Sequence, residues 1–321
     1  MIQYKDDIEA IDSLKESYKK LHDEVSKIVI GQEAVVKEVL ISIFSKGHCL
    51  LVGVPGLAKT LLVNTISQVL GLEYNRIQFT PDLMPSDILG SEILDENKKF
   101  KFIKGPVFAN FILADEINRT PPKTQAALLE AMQENAVTVA GIRYQLEKPF
   151  FVLATQNPIE QEGTYPLPEA QLDRFMFNIW VDYPSFKDEI TIVKNTTSNN
   201  VTQLSHVLSA EQIVYFQDLI RKVPVNDNVL EYAVKLVSKT RKNSEFSTDL
   251  TQKYLSWGAG PRASQYLIVG AKTHAVLSGK YSPDIEDVQA VALPILRHRI
   301  IRNYKAEAEG MSIEHIVKAL M

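Results

Sequence analysis

Residues 53–60 read Gly53-Val54-Pro55-Gly56-Leu57-Ala58-Lys59-Thr60 and join an apolar segment at 48–52 to an amphipathic segment at 60–70. We predict a strand before this stretch and a helix after it. Backbone N–H groups in such a turn, together with the positive end of the helix dipole, form an anion-binding concavity. We therefore predict a phosphate-binding loop that contacts a nucleotide through Gly53, Pro55, Gly56, Leu57, Ala58, Lys59, Thr60 and Leu61.

Two side chains of this loop have separate predicted roles. Lys59 is expected to contact the β- and γ-phosphates, and Thr60 to ligate Mg²⁺. Ala58 stands where a second glycine is usual, and alanine is tolerated there if its φ is negative. The alternative is a glycine-containing turn that binds no ligand.

Two acids end the apolar segment at 111–114, which we predict to be a second strand. Asp115 is predicted to hold Mg²⁺ through water, and Glu116 to orient or deprotonate the attacking water. The alternative is a buried strand followed by a solvated acidic turn.

A third predicted strand, at 150–155, is followed by Gln156-Asn157-Pro158. Asn157 therefore lies at the carboxyl end of a strand, where open α/β sheets bind their ligands. Its amide can hydrogen-bond both the γ-phosphate and the attacking water. An Asn-Pro turn without a catalytic role is the alternative.

Five blocks, in this order, resemble the signature of the MoxR family of AAA+ ATPases. They are Gly-Val-Pro-Gly-Leu-Ala-Lys-Thr at 53–60, Gln-Phe-Thr-Pro-Asp-Leu-Met-Pro-Ser-Asp-Ile-Leu-Gly at 78–90, Ala-Asp-Glu-Ile-Asn-Arg at 114–119, Ala-Thr-Gln-Asn-Pro at 154–158 and Gly-Thr-Tyr-Pro-Leu-Pro-Glu-Ala-Gln-Leu-Asp-Arg-Phe at 163–175. The resemblance runs from about residue 31 to the C-terminus. It implies an α/β fold, an AAA+ parallel sheet sandwiched by helices, followed by a small all-α lid.

The same resemblance implies an activity and partners. The activity is Mg²⁺-dependent ATP hydrolysis that drives chaperone-like remodelling or maturation of a protein client. The partners are further copies of the chain in a ring, expected to be a hexamer, and a protein with a von Willebrand A-type domain.

The resemblance also assigns catalytic residues. Lys59 and Thr60 match the Walker A pair, Asp115 and Glu116 the Walker B pair, and Asn157 the sensor 1 residue.

Two arginines match the remaining catalytic positions. Arg174 matches the arginine finger, which in this fold points at the ATP of a neighbouring subunit; a surface salt bridge to Asp173 or Glu169 is the alternative. Arg262 matches sensor 2 and is predicted at a helix start after Gly260 and Pro261, where it could report the γ-phosphate to the lid.

Composition is compatible with this interpretation. A chain of 321 residues exceeds the usual size of one core, so we expect two domains, at 1–200 and 201–321. The net charge of −4 predicts no nonspecific nucleic-acid binding. Cys49 is the single cysteine, and no apolar run could span a bilayer, which predicts a cytoplasmic protein.

Further elements follow from periodicity and capping patterns. Residues 1–30 predict charged helices with a packed stripe of Ile8, Ile11, Leu14, Tyr18, Leu21 and Val25. Strands and helices alternate over 46–183, which predicts a parallel sheet. Residues 196–200 are a predicted connector, after which helices begin at a Ser209 capping box and at Ser282-Pro283.

Two insertions lie inside the predicted α/β domain. Residues 91–102 are predicted to form a hairpin or a short helix-breaking loop around 95–97, and residues 137–146 a hairpin with its turn at Ala140-Gly141. We expect the ATP state to move these hairpins against a client. Simple extension of the sheet is the alternative.

Other functions remain open at this point. One alternative is a chelatase-type motor subunit for metal insertion, and another is a nucleotide-gated binding scaffold with little turnover. A DNA motor is a third. No Gly-x-Ser-x-Gly or His-Glu-x-x-His motif indicates other hydrolase chemistry.

Overall fold

The computed structural model describes residues 4–94, 96, 98–160, 163–197 and 202–321. Its strands are β1 Cys49–Val52, β2 Tyr74–Gln78, β3 Gly90–Leu94, β4 Phe100–Lys104, β5 Phe111–Asp115, β6 Ala136–Val139, β7 Ile142–Gln145, β8 Phe151–Gln156, β9 Phe177–Trp180, β10 Leu255–Trp257 and β11 Ile301–Arg302. Five of them form a parallel sheet in the order β2-β5-β8-β1-β9. The predicted parallel sheet is therefore confirmed.

The central strands are apolar over most of their length because helices cover both faces of the sheet. In β5, Phe111, Ile112, Leu113 and Ala114 are all buried. The register pairs Val52 of β1 with Gln156 of β8. The carboxyl ends of β1, β8 and β5 therefore lie side by side.

The helices are α1 Asp7–Ser26, α2 Glu33–Phe44, α3 Lys59–Val69, α4 Pro85–Leu89, α5 Pro122–Glu134, α6 Glu169–Leu172, α7 Phe186–Thr196, α8 Ala210–Lys222, α9 Asp227–Lys239, α10 Asp249–Tyr254, α11 Pro261–Leu277, α12 Ile285–Leu296, α13 Tyr304–Ala308 and α14 Ile313–Leu320. None of these helices, within the described ranges, has both the length and the apolar character needed to cross a bilayer.

Helix α1 packs against α2, α3, α8 and α11, so it contacts both the sheet region and the C-terminal helices. Its predicted stripe is buried at Ile11, Leu14, Leu21 and Val25. The prediction was wrong for Ile8, which is exposed. At about 100° per residue, Ile8 lies roughly 120° around the helix from Leu14 and points away from the core.

The C-terminal helices begin at one of the two predicted caps. Ser209 accepts a hydrogen bond from the N–H of Gln212 and caps α8, as predicted. The Ser282-Pro283 start was wrong, because α12 begins at Ile285 with Asp284 as its cap. The N–H of Asp284 donates to Asp287 Oδ2 at 2.8 Å, which fixes the start there.

Two further features surround these helices. The short antiparallel ribbon β10–β11 was not predicted, since strands this short carry no visible alternation. Of the predicted connector at 196–200, Thr196 ends α7 and residues 198–200 lie outside the described part of the chain.

Both predicted hairpins are present outside the main sheet. Strands β3 and β4 pair over 90–104, slightly beyond the predicted 91–102, and Asp95 and Asn97 of the predicted turn lie outside the described residues. Strands β6 and β7 pair around Ala140 and Gly141, whose φ angles of 50° and 82° suit a tight hairpin turn.

Candidate nucleotide-binding site

The loop between β1 and α3 has the backbone shape of an anion cradle. The N–H of Gly53 donates to the carbonyl oxygen of Gln156 at 3.2 Å, which ties the loop to β8. Gly56 and Ala58 have φ angles of +84° and +53°. The expected negative φ at Ala58 was therefore wrong, because alternating right- and left-handed residues are what turn successive N–H groups toward one point. Holding alanine there costs about 1 kcal/mol.

The start of α3 supplies the donors of the cradle. The N–H groups of Lys59, Thr60 and Leu61 lie in the first turn of the helix, where no helical carbonyl can accept from them. Lys59 Nζ donates to the carbonyl oxygen of Gly53 at 2.6 Å. Burial lowers the pKa of Lys59, while Asp115 and Glu116 act to raise it. These groups can together bind a polyphosphate.

Asp115, at the end of β5, is oriented by two neighbours. Its Oδ1 accepts from Thr155 Oγ1 at 2.7 Å, and its Oδ2 accepts from Arg76 Nε and Nη2 at 3.1 and 2.6 Å. Three of its roughly four lone-pair positions are thus used, which leaves one for a metal-bound water.

Thr60 and Asp115 could supply part of the coordination shell of a Mg²⁺ ion. Within the described ranges, no group of three or more His, Cys, Asp or Glu side chains could hold a metal ion. Phosphate oxygens and water would therefore have to complete a shell to which Thr60 and Asp115 contribute, as is usual for Mg²⁺.

Glu116 sits beside Asp115 in a strained backbone conformation, with φ at +57°. Its N–H donates to Thr155 Oγ1 at 2.9 Å. Its Oε2 accepts from Gln78 Nε2 at 3.1 Å and from Arg119 Nη1 at 3.0 Å, and the pKa of Arg119 is raised by this contact. The carboxylate is thus held in one position next to the phosphate loop.

Asn157 is buried directly after β8. Its Oδ1 accepts from the N–H of Ile159 at 3.1 Å, so it does form the turn considered as the alternative. Toward the residues that the structure describes, its Nδ2 makes only a long contact of 3.4 Å, to Glu160. Because Gln156 bonds to Gly53, this amide lies near the phosphate loop with a donor to offer.

An apolar cavity of about 350 Å³ adjoins the loop and can accommodate an aromatic base. Its walls come from the segment after α1, from α2, from the phosphate loop, from the segment before α7 and from the second half of α7. They include Ile28, Val29, Ile30, Val35, Leu57, Leu61, Val181, Pro184 and Ile192. Most of these residues were not predicted from the sequence, since no motif distinguishes them from core residues.

Arg174 and Arg262 line a different cleft, of about 320 Å³, together with Lys46, Lys148 and Arg221; we term it the arginine cleft. His48 and Phe150, which come just before β1 and β8, also line it. The cleft therefore lies at the amino ends of the strands, whereas the phosphate loop follows their carboxyl ends. Strand β1 alone separates the two ends by roughly 13 Å.

Lys46 of this cleft pairs with Asp218 at 2.6 Å, and Asp173 forms two further ion pairs beside the cleft. Arg262 Nη1 donates to Asp173 Oδ2 at 2.8 Å, and Arg299 Nε donates to Asp173 Oδ1 at 2.7 Å. The alternative considered for Arg174, a salt bridge to Asp173 or Glu169, does not form. Among the described residues, Arg174 has no ion-pair partner, and it lines the cleft.

Two family models match the chain. The ATPase family associated with various cellular activities (AAA) matches residues 48–177, and the AAA lid domain matches residues 248–320.

Named relatives cover most of the chain. Chaperone MoxR1 of Mycobacterium tuberculosis is 43% identical over 93% of this chain and 79% of its own length. Protein MoxR of Methylorubrum extorquens is 28% identical over 86% of this chain and 85% of its own length. The crystal structure of a candidate ATPase from Cytophaga hutchinsonii, 44% identical, superposes with a TM-score of 0.91 over 97% of this chain and 95% of that one.

Proposed function

The chain belongs to the MoxR family of AAA+ ATPases, and from this premise we propose that it is a Mg²⁺-dependent ATPase that remodels a protein client. One observation carries the proposal. Lys59, Asp115, Glu116 and Asn157 follow three adjacent strands of the sheet and meet at its carboxyl edge. Phosphoryl transfer to water needs this combination of cation, metal-binding acid, base and polar amide.

Each residue has one task in the proposed reaction. Lys59 exchanges the carbonyl of Gly53 for the β- and γ-phosphates. Glu116 takes the proton of the attacking water, and Asn157 Nδ2 donates to the γ-phosphate or to that water. Thr60, and Asp115 through water, would hold Mg²⁺, which would neutralise charge on the phosphate oxygens.

The position of the two arginines supports a site completed between subunits. Arg174 and Arg262 lie at the opposite end of the sheet from the phosphate loop of their own chain. Both can therefore contact a γ-phosphate only in a neighbouring copy. Repetition of such a head-to-tail contact closes a ring, which we propose is a hexamer. An arginine supplied in this way is worth about 10³ to 10⁵ in turnover.

Arg262 thus acts on the neighbour, in contrast to a sensor that reports the γ-phosphate to the lid of its own chain. The lid carrying Arg262 belongs to the proposed second domain, residues 201–321, and the phosphate loop to the first, residues 1–200. Closure of one lid would therefore follow the ATP state of the adjacent subunit.

The two hairpins are the proposed client-contacting parts. An aromatic pair joins the two hairpins. The ring centroids of Phe102 and Tyr144 are 4.1 Å apart, with 20° between the ring planes. Exposed Phe100, Leu94 and Ile142 are available to an apolar client segment. Removing residues 140–143 should leave basal hydrolysis intact and abolish stimulation by the client. Undiminished stimulation would exclude this role.

The partners and location follow from the same premise. We propose a cytoplasmic ring, since Cys49 is the single cysteine and is buried as a thiol. A protein with a von Willebrand A-type domain is the proposed partner. A chelatase-type motor would instead be stimulated by a tetrapyrrole-binding partner, and a DNA motor by DNA.

ATP turnover per subunit, measured with Mg²⁺ over a wide range of protein concentration, tests the proposal. Specific activity should rise with concentration and then saturate as rings form. Negligible turnover at every concentration, with ATP bound, would favour a nucleotide-gated scaffold.

A further inference from the structure

We propose that helix α7 and the ribbon β10–β11 are the two halves of one contact between neighbouring copies of this chain, an inference that rests on the proposed function. The α7 face consists of Tyr183, Phe186, Ile190 and Val193. The ribbon face consists of Trp257, Ile301 and Tyr304. All of these side chains are exposed in the single subunit.

Helix α7 presents its apolar side to solvent. Phe186, Ile190 and Val193 have the spacing of one helical face, and Phe186 is 81% exposed. Ile192 lies roughly 120° around the helix from Phe186 and lines the apolar cavity beside the phosphate loop. A surface helix normally turns its apolar stripe inward, so the reversed arrangement indicates an interaction surface.

The ribbon is connected through the chain to arginines at the arginine cleft. Trp257 and Ile301 are paired across the antiparallel ribbon, so their side chains share one side of it. Trp257 is 70% exposed and Tyr304 is 85% exposed. Strand β10 leads into the turn before Arg262, and β11 follows Arg299, while both arginines bind Asp173.

A second copy of the chain fits both faces. The α7 face belongs to the helix that also lines the apolar cavity beside the phosphate loop. It is therefore next to the position that the anionic triphosphate would occupy. The ribbon strand β10 precedes Arg262, which lines a cleft together with Lys46, Lys148, Arg174 and Arg221. Bringing this cationic cleft to the triphosphate of the next copy also brings the ribbon face toward its α7 face. A head-to-tail contact requires two such different surfaces on each subunit.

Two variants, each lacking one face, test the pairing. The full-length chain carries either Phe186→Asp or Trp257→Asp, and the mass in solution is measured with Mg²⁺ and a non-hydrolysable ATP analogue. Each variant alone should remain at the monomer mass of 36.1 kDa, because its only partner surface is missing on every copy. An equimolar mixture should form a species of twice that mass, since one intact pair of faces remains.

Some outcomes of the mass measurement would contradict the proposed contact. A mixture that stays monomeric, or either variant assembling as the unsubstituted chain does, would overturn the pairing. A wild-type chain that never assembles would overturn it as well. Ile190→Asp repeats the α7 test at a second position. Ile8→Asp and Val234→Asp, at side chains 58% and 52% exposed outside both faces, are matched controls that should assemble normally.

Turnover of the mixture then identifies which chain supplies which half. The Trp257→Asp chain keeps its α7 face and should supply the nucleotide pocket, so adding Lys59→Ala to this chain should abolish turnover. The Phe186→Asp chain should supply Arg174, so Arg174→Ala in that chain should also abolish it. The opposite assignment would be loss of turnover when Lys59→Ala is placed in the Phe186→Asp chain and Arg174→Ala in the Trp257→Asp chain. That result would overturn the proposed pairing. A mixture that reaches twice the monomer mass but hydrolyses no ATP would agree with the proposed contact and refute the proposed ATPase activity.

Discussion

The guanidinium of Arg262 donates a hydrogen bond of 2.8 Å to the carboxylate of Asp173, the residue immediately before Arg174. This contact joins the first turn of α11 to the segment that carries the proposed arginine finger. The contact holds the two arginines near each other, so both should act on the same neighbouring nucleotide.

Replacing either arginine by alanine should lower ATP turnover without weakening ATP binding. Arg174→Ala should lower kcat by about 10³ to 10⁵ and leave the Kd for ATP within a few-fold, because its proposed contact is made from another subunit. Arg262→Ala should act in the same direction. Single-turnover hydrolysis and equilibrium nucleotide binding measure the two effects. Lys19→Ala, an exposed cation on α1, is the control; a large increase in Kd with unchanged kcat would contradict the assignment.

Replacing Ala58 should reveal the strain in the phosphate loop. Glycine at this position should raise the free energy of unfolding by up to about 1 kcal/mol, because it adopts a positive φ without a steric cost. Ala58→Val should lower it by more than about 1 kcal/mol and weaken nucleotide binding. Denaturant titration measures both changes. Ala140→Gly, at a φ of 50° in the β6–β7 turn, is the matched control; a stable, fully binding Ala58→Val chain would refute the strained conformation.

The stacked rings of Phe102 and Tyr144 should couple the two hairpins. A double-mutant cycle with Phe102→Ala and Tyr144→Ala should give a coupling free energy of about 0.5 to 1.5 kcal/mol. The same cycle with Phe100, an exposed residue of the same strand, should give a value near zero. Equal couplings for the two pairs would show that the stack contributes nothing specific.

Glu38 should make stability depend on pH. Burial raises its pKa to about 7, against the opposing effects of Arg297 and Lys37. The folded chain therefore binds more protons than the unfolded chain between its usual value of 4.5 and about 7, and the free energy of unfolding falls as pH rises through this window.

Glu38→Gln should remove this fall. Relative to the unsubstituted chain it should gain up to about 3 kcal/mol between pH 5 and pH 8. Thermal unfolding at both pH values measures the gain, and Glu16→Gln on the exposed side of α1 controls for the lost charge. A gain that is the same at both pH values would contradict the raised pKa.

Much of the site could be predicted because its signals are local. The phosphate loop, the acids Asp115 and Glu116, and Asn157 each follow a short apolar run, and such runs predict strands whose ends meet. The sequence could not predict the partners of these residues. Arg76 and Asp115 are 39 residues apart, and Asp173 and Arg262 are 89 apart. Pairings over such separations depend on how helices and strands pack, which periodicity does not encode.

Two other differences have physical reasons of the same kind. The sign of φ at Ala58 depends on how the loop closes onto β8, a contact made through Gln156. The location of Arg262 at the far end of the sheet depends on where the lid packs. Its place at a helix start was predictable, but the nucleotide that it can contact was not.

Mixing two inactive variants tests the central claim, that each ATP site is completed by a neighbouring subunit. Lys59→Ala removes the phosphate-binding cation, and Arg174→Ala removes the arginine supplied to the neighbour. Each alone should be inactive, whereas an equimolar mixture should recover about a quarter of wild-type turnover, because random assembly pairs an intact loop with an intact arginine at one contact in four. Sites contained within single subunits predict no recovery at any ratio, and a mixture that remains inactive despite assembling would contradict the account.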